Sequence, residues 1–161
     1  MRDEVFETTR ACGVGFDTPA GLAWLTFLRA HSDLIRILDA ELRRETQLAL
    51  SDFDVLIQLA MAETGCLRMS ELARLTLVSK SGTTRRVEQL EREGLVARRA
   101  AGTDRRSVIV SLQPAGVDRL RSALPVHARG IAAHFAEKLS DEDAGALRRA
   151  LQKVSPDRAP G

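Results

Sequence analysis

The chain has 161 residues, enough for one domain of ordinary size or a small domain with appended oligomerisation helices. Hydrophobic residues at 44% and charged residues at 29% are the balance of a soluble globular protein, while 4% aromatic residues, with no tyrosine, argue against a stacking platform for single-stranded nucleic acid. The formal net charge of +2 conceals a segregation: residues 68–106 hold ten Lys or Arg against five Asp or Glu, whereas residues 1–67 hold six against eleven.

Residues 1–18 contain Gly13 and Gly15 without sustained periodicity and predict a loose arm or a short helical turn. From Thr18 to about Gln47 the pattern is helical: Leu28, His31, Ile35, Leu38 and Leu42 recur three or four residues apart, and Trp24, Phe27 and Leu34 widen the apolar surface. A helix apolar over so much of its circumference is expected to be wrapped by other helices. Ser51 is read as the cap of a helix from Asp52 to about Glu63, burying Phe53, Leu56, Ile57 and Ala60 and ending at Gly65. Leu67 and Met69 then suit a short apolar strand.

Ser70 is read as the cap of a short helix to Leu77 that carries Leu72, Leu75 and Leu77. A second helix runs from about Ser79 to Glu93 and stops at Gly94, because glycine enters the left-handed conformation without cost. Its inward stripe is Thr83, Val87 and Leu90, which turns Lys80, Ser81, Thr84, Arg85 and Glu88 outward. Short polar residues followed by arginine, at the start of a helix braced by another, suit the major groove of DNA, whose base edges accept hydrogen bonds from Arg, Lys, Ser and Thr. Residues 95–99 and 107–112 read as paired strands, joined by a turn over 101–106 whose arginines suit a minor groove. A basic surplus alone would equally describe a solvated face. Set on a helix, a turn, a helix and a hairpin, it describes a winged helix-turn-helix.

Pro114 opens another long helical pattern through Val117, Leu120, Leu124, Ala128, Ile131, Phe135 and Leu139. Pro125 predicts either a kink near Ala123 to Pro125 or two helices meeting there. Asp141 to Val154 reads as a last amphipathic helix, and Ser155 to Gly161 as a frayed tail. The first and last segments carry more apolar stripe than a winged helix of about 65 residues covers, so a homodimer is expected. Two-fold symmetry then places two recognition helices about one turn of DNA apart, on an inverted repeat.

The segment around the hairpin resembles the MarR family of transcription regulators. The wing signature is Asp-x-Arg, five residues, Leu-Thr, two residues, Gly; it stands here as Asp104, Arg106, Leu112, Gln113 and Gly116. Gln113 departs from the usual threonine and predicts a cap weaker by roughly 1 kcal/mol ahead of Pro114, with DNA reading intact. The likeness extends through Leu50 to Leu56 and Leu139 to Asp143 and covers about residues 20–154. It implies a triangular dimer that binds double-stranded DNA, with a small aromatic or anionic effector received between the dimer helices and the DNA-binding lobe.

The resulting fold class is mainly α with a small β-wing: a winged helix-turn-helix over residues 49–113, flanked by an arm and dimerisation helix at 1–48 and dimerisation helices with a short tail at 114–161. The candidate recognition-helix contacts are Ser79, Lys80, Ser81, Thr83, Thr84, Arg85 and Arg86, with pairing to Glu45, Asp54 or another acid as the alternative for Arg86. The candidate wing contacts are Arg98, Arg99, Asp104, Arg105 and Arg106, with Asp104 orienting an arginine or bracing the hairpin. Gly82 suggests a close approach of backbone to DNA. Trp24, Phe27, His31 and Phe53 are the candidate effector-pocket residues, and Cys12 a redox site by likeness to relatives that sense oxidants near the first helix. His31, His127 and His134 lie on or beside apolar seams and read as structural, Cys12 and Cys66 do not form a metal-type pair, and neither a metal nor a cofactor is expected. No apolar leader or membrane-spanning run is evident, which predicts a cytoplasmic protein with reduced thiols and no membrane partner. No phosphate-binding loop, nucleophile elbow or ligand cluster suggests an enzyme. The function expected is therefore a transcription regulator, most simply a repressor modulated by an effector; a redox-sensing regulator acting through Cys12 and a winged-helix adaptor for a protein partner are the alternatives.

Overall fold

A computed structural model of the chain describes residues 15–101 and 104–154, of which 101 and 104–107 are described by their backbone alone. In order, the elements are α1 (Pro19–Thr46), α2 (Leu50–Met61), β1 (Cys66–Arg68), α3 (Met69–Leu75), α4 (Lys80–Arg92), β2 (Val96–Ala101), β3 (Asp104–Leu112), α5 (Pro114–His134), a 3-10 turn (Ala136–Lys138) and α6 (Asp141–Val154). The molecule is thus mainly helical with one small antiparallel sheet, as its sequence predicts. It divides into two compact units, Met1–Ile37 and Leu38–Gly161.

In the first unit the Thr18 hydroxyl accepts from the Gly21 N–H at 3.1 Å and satisfies a donor of the first turn of α1. Leu22, Trp24, Phe27 and Leu28 are exposed along that helix, so the beginning of the apolar stripes predicted to be wrapped is uncovered in one chain, whereas Leu38 and Leu42 farther along are buried.

The second unit holds the core: Leu42, Val55, Leu56, Leu59, Leu72, Val87, Leu90 and Val110 are all at 0% exposure. The strand order is β1-β3-β2, with β3 pairing antiparallel to both neighbours. Val110 of β3 lies between Leu67 and Arg98, so the alternation read in this strand places its buried residue at the centre of the sheet. Gly94 adopts φ +73° and ends α4; its N–H donates to the Glu91 carbonyl and the Leu95 N–H to the Leu90 carbonyl, each at 2.9 Å. That double bond pattern satisfies the last carbonyls of the helix and turns the chain directly into β2.

Several expectations need correction. α2 begins at Leu50, and Ser51 lies inside it: the Leu50 N–H donates to Asp39 Oδ1 at 2.8 Å, so the helix start is satisfied by a residue of α1. It ends at Met61, and Gly65 (φ +65°) closes the turn that follows. Ala60 is exposed. Met69 starts α3 instead of extending β1, and Ser70 forms part of the first turn without capping it. Of the three leucines assigned to that helix only Leu72 is buried; Leu75 and Leu77 are exposed. Of the two outcomes predicted at Pro125, two helices meeting there is not found: α5 runs on through it. The bond that proline cannot donate would reach the carbonyl of Arg121, an exposed residue. The helix instead gives way after His134 to the 3-10 turn.

The first turn of α5 is pressed onto the start of the sheet. The Gln113 N–H donates to the Leu95 carbonyl at 3.0 Å, and Gln113 makes no side-chain cap, in keeping with its departure from threonine. A Cβ at Gly116 would lie 2.2 Å from that same carbonyl oxygen and 2.8 Å from Leu112 Cδ1. This close approach accounts for the glycine of the wing signature. Gly116→Ala should destabilise the protein by about 1 to 3 kcal/mol through overpacking, read as a lower urea midpoint at unchanged m-value.

Farther along α5, the His127 ring packs on Phe53 of α2 with centroids 4.4 Å apart. Burial lowers the His127 pKa from its ordinary 6.5, against the opposing pull of the Asp54 charge. The unfolded chain therefore takes up a proton that the folded ring resists, and stability should fall as pH drops through and below that value. Between about pH 8 and pH 5.5 the urea midpoint of the wild type should decline more steeply than that of His127→Gln; parallel declines would assign the effect to other groups.

Candidate nucleic-acid interface

Four polar contacts hold the turn between α3 and α4. The buried carboxylate of Asp54 on α2 accepts from the Leu77 N–H through Oδ2 at 2.6 Å. The hydroxyls of Thr76 and Thr83, both buried, lie 2.8 Å apart, and Thr83 also donates to the Ser79 carbonyl at 3.1 Å. Ser79 caps α4, its Oγ accepting from the Gly82 N–H at 3.2 Å. Burial raises the Asp54 pKa; the bonds from Leu77 and Gln58 and the nearby His127 oppose the rise.

With Thr83, Val87 and Leu90 turned into the core, α4 presents Lys80, Ser81, Arg85 and Glu88 to solvent, with Thr84 half-buried beside them. The Thr84 hydroxyl donates back to the Lys80 carbonyl at 3.1 Å. Thr83, counted among the groove contacts, is corrected: it is 0% exposed and its hydroxyl is used within the turn. Arg86 is half-buried, and its Nη1 lies 3.6 Å from Asp52 Oδ1, so its acidic partner is Asp52 and neither Glu45 nor Asp54. Burial raises the Asp52 pKa, and Arg86 is the main influence against it. The missing side chain of Gly82 faces the protein. A Cβ there would meet Ser79 Oγ at 3.2 Å and Val78 Cβ at 3.3 Å, so the glycine gives room to the cap and not to DNA.

On the wing, Arg98 is not free. Its Nε and Nη2 donate to Glu91 Oε2 at 2.7 and 2.6 Å, its backbone N–H donates to Glu91 Oε1 at 3.1 Å, and its Nη1 lies 3.7 Å from Glu88 Oε1. This pairing lowers the Glu91 pKa and raises that of Arg98. Arg99, next on β2, is exposed. Asp104, Arg105 and Arg106 begin β3 across the hairpin turn, and their side chains lie outside the described residues, as does Cys12.

Trp24, Phe27 and His31 form a ladder of exposed rings on α1, with centroids 6.2 and 6.1 Å apart along it. Phe53, grouped with them from the sequence, is a core residue at 3% exposure with His127 against its ring. Among the described residues no group of three or more His, Cys, Asp or Glu is placed to hold a metal, and no helix is long and apolar enough to cross a membrane. Sequence reasoning missed two residues. Asp54 could have been found as a charge inside the apolar run of Phe53, Val55 and Leu56, where a carboxylate needs a donor. Glu91 carried no such signal, because its partner lies across the Gly94 turn.

Comparison with known proteins bears on what this surface does. A model of the MarR family matches residues 46–107, from the end of α1 through the wing. An uncharacterized HTH-type transcriptional regulator of Bacillus cereus is 28% identical over 138 residues, 86% of this chain and 90% of that protein. The HTH-type transcriptional repressor YetL of Bacillus subtilis is 35% identical over 91 residues, 56% of this chain and 54% of its own length. Among solved structures, that of Sco3205, a MarR family transcriptional regulator from Streptomyces coelicolor in complex with DNA, superposes with a TM-score of 0.78 at 26% identity, covering 87% of this chain and 88% of that one. With the braced helix-turn-helix, the three-stranded wing and these likenesses all in agreement, residues 46–107 match the MarR family, and the chain is similar over most of its length to MarR family transcription regulators.

Proposed function

We propose that the protein is a cytoplasmic repressor that binds an inverted-repeat operator as a homodimer and is released by a small aromatic or anionic effector. The observation that carries the DNA contact is the outward face of α4: Lys80, Ser81, Thr84 and Arg85 project from a helix whose opposite face and first turn are fixed by burial and by hydrogen bonds to Asp54, Thr76 and Ser79. Such a helix enters a major groove with its donors already oriented. Arg99, Arg105 and Arg106 then serve the flanking minor groove, with Asp104 orienting an arginine. The DNA-bound form of Sco3205 supports the same use of the fold, and the repressor YetL supports the sign of the effect.

Dimerisation is supported by α5. Val117, Leu124 and Ile131 recur at intervals of seven residues with Phe135 beyond them, each about two-fifths exposed, an apolar seam that a second copy would cover. On this reading residues 49–113 read DNA, and residues 1–48 and 114–161 join the two copies. The exposed ring ladder of Trp24, Phe27 and His31 offers an aromatic ligand stacking partners, and an effector acts by binding more tightly to a dimer whose helices no longer match successive grooves.

Selection from randomised duplex DNA by the purified protein should enrich an inverted repeat with half-sites about one helical turn apart and a steep salt dependence. Arg85→Ala should then weaken binding by about 1 to 3 kcal/mol and relax preference at one base of each half-site; a uniform loss over all sequences would assign Arg85 to phosphate, and no enrichment would remove the DNA-binding reading. Titration with small aromatic acids should give a saturable change in the fluorescence of Trp24, the sole tryptophan, together with loss of operator binding. A saturable signal that leaves operator affinity unchanged would refute release by such a ligand.

A further inference from the structure

We infer that Arg98 is a wing-positioning residue: with Glu91 and Glu88 it forms a clamp that sets the angle of the wing against the recognition helix, and it does not itself contact DNA. The inference rests on the reading of α4 and the wing as the DNA-binding surface. Its geometric basis is the number of donors that one arginine commits to one helix. The guanidinium gives Nε and Nη2 to a single Glu91 oxygen, the backbone N–H of the same residue takes the other oxygen, and Nη1 faces Glu88 one turn earlier on α4. A planar fork held through two nitrogens has little rotational freedom, and the added backbone bond ties the strand as well as the side chain.

The position makes this bond effective. Arg98 is the third residue of β2, paired with Val110 of the central strand, and the hairpin turn lies four residues beyond. At about 3.3 Å per residue the end of β2 at Ala101 stands about 10 Å out, so a rotation of about 10° at the clamp moves that end by about 2 Å. A shift of that size breaks hydrogen bonds made from the outer part of the wing. Because both partners are partly exposed, the pair adds little to global stability; its effect is on orientation.

The sign of one substitution separates positioning from electrostatics. Glu91→Gln removes a negative charge near DNA and releases Arg98 towards phosphate, so charge alone predicts tighter binding. A clamp predicts the reverse. In the full-length protein, Glu91→Gln and Arg98→Ala should each weaken binding to the selected operator about tenfold, and the double variant should be no weaker than either single variant, the mark of one shared interaction. Hydroxyl-radical footprints of both single variants should lose the flanking minor-groove protection and keep the central major-groove protection, which simple destabilisation would not do. Tighter or unchanged binding by Glu91→Gln, or additive losses in the double variant, would overturn the inference. Amide exchange without DNA keeps it separate from the DNA-binding reading: the amides of β2 should exchange faster in Glu91→Gln whether or not the wild type selects an operator, and unchanged exchange would refute the clamp by itself.

Discussion

A recognition helix reads bases only if its first turn is held at a fixed angle, and here a buried carboxylate provides the anchor. Asp54 sits inside the apolar face of α2 and accepts the Leu77 N–H at 2.6 Å, where the chain has left α3 and not yet entered α4. An ionised group in such a place has a high desolvation cost, which the raised pKa records, and it is tolerable because the charged acceptor meets a backbone donor of the turn. The Thr76 and Thr83 hydroxyls satisfy one another on the inner side of the same turn. The turn is thus fixed by directional bonds, whereas apolar packing by itself would allow α4 to slide or roll.

The same economy of polar groups changes what the local charge count means. Residues 68–106 carry ten basic side chains, but two of these arginines are engaged within the protein, Arg86 towards Asp52 and Arg98 by Glu91. The surplus of positive charge is real as a field, since it reaches DNA through solvent. Its contact-making part is smaller than the count suggests. Lys80, Arg85 and Arg99 are exposed, so on the proposed reading affinity and specificity would draw on a narrower set of side chains than composition implies.

How much of this was legible in the sequence depended on how local each determinant is. α4 was readable at both ends because Ser79 caps it and Gly94 terminates it within the same few residues. The last helix, Asp141–Val154, was equally plain: Ser140 and Asp143 exchange hydrogen bonds across its first turn. The starts of α2 and α3 were misread because two serines in suitable positions make no cap, and the first N–H of α2 is instead satisfied by Asp39, 11 residues earlier in the chain. Pro125 does not divide α5, and the residue whose carbonyl loses its helical donor, Arg121, is exposed. Among the site residues, spacing placed Lys80, Ser81 and Arg85 outward correctly, but it did not remove Thr83 or Arg98 from the contact set. Their removal depends on Thr76 and Glu91, partners whose proximity only the folded chain reveals.

These long-range partners also connect the parts of the second unit in a definite order. Arg129 and His134 of α5 bond Glu45 and Glu41 of α1 at 2.7 and 2.8 Å, and Gly130 lets α5 approach Leu38 and Glu41 where a Cβ would clash at 2.6 and 2.7 Å. From α5, His127 packs on Phe53, and the residue after Phe53 is the carboxylate that fixes the turn before α4. At the other end, Gly116 presses α5 onto Leu95, just beyond the terminus of α4. A displacement of α5 therefore meets α4 at both ends, through Asp54 at its start and through the Leu95 carbonyl at its finish. Close-packed contacts transmit such a shift as a change of arrangement because they deform little. For an effector to exploit this path it must favour one position of α5 over another, since contact without differential affinity moves no equilibrium. The apolar seam of Val117, Leu124 and Ile131 lies on that same helix, so a partner covering the seam and a ligand acting on the turn would work on one element.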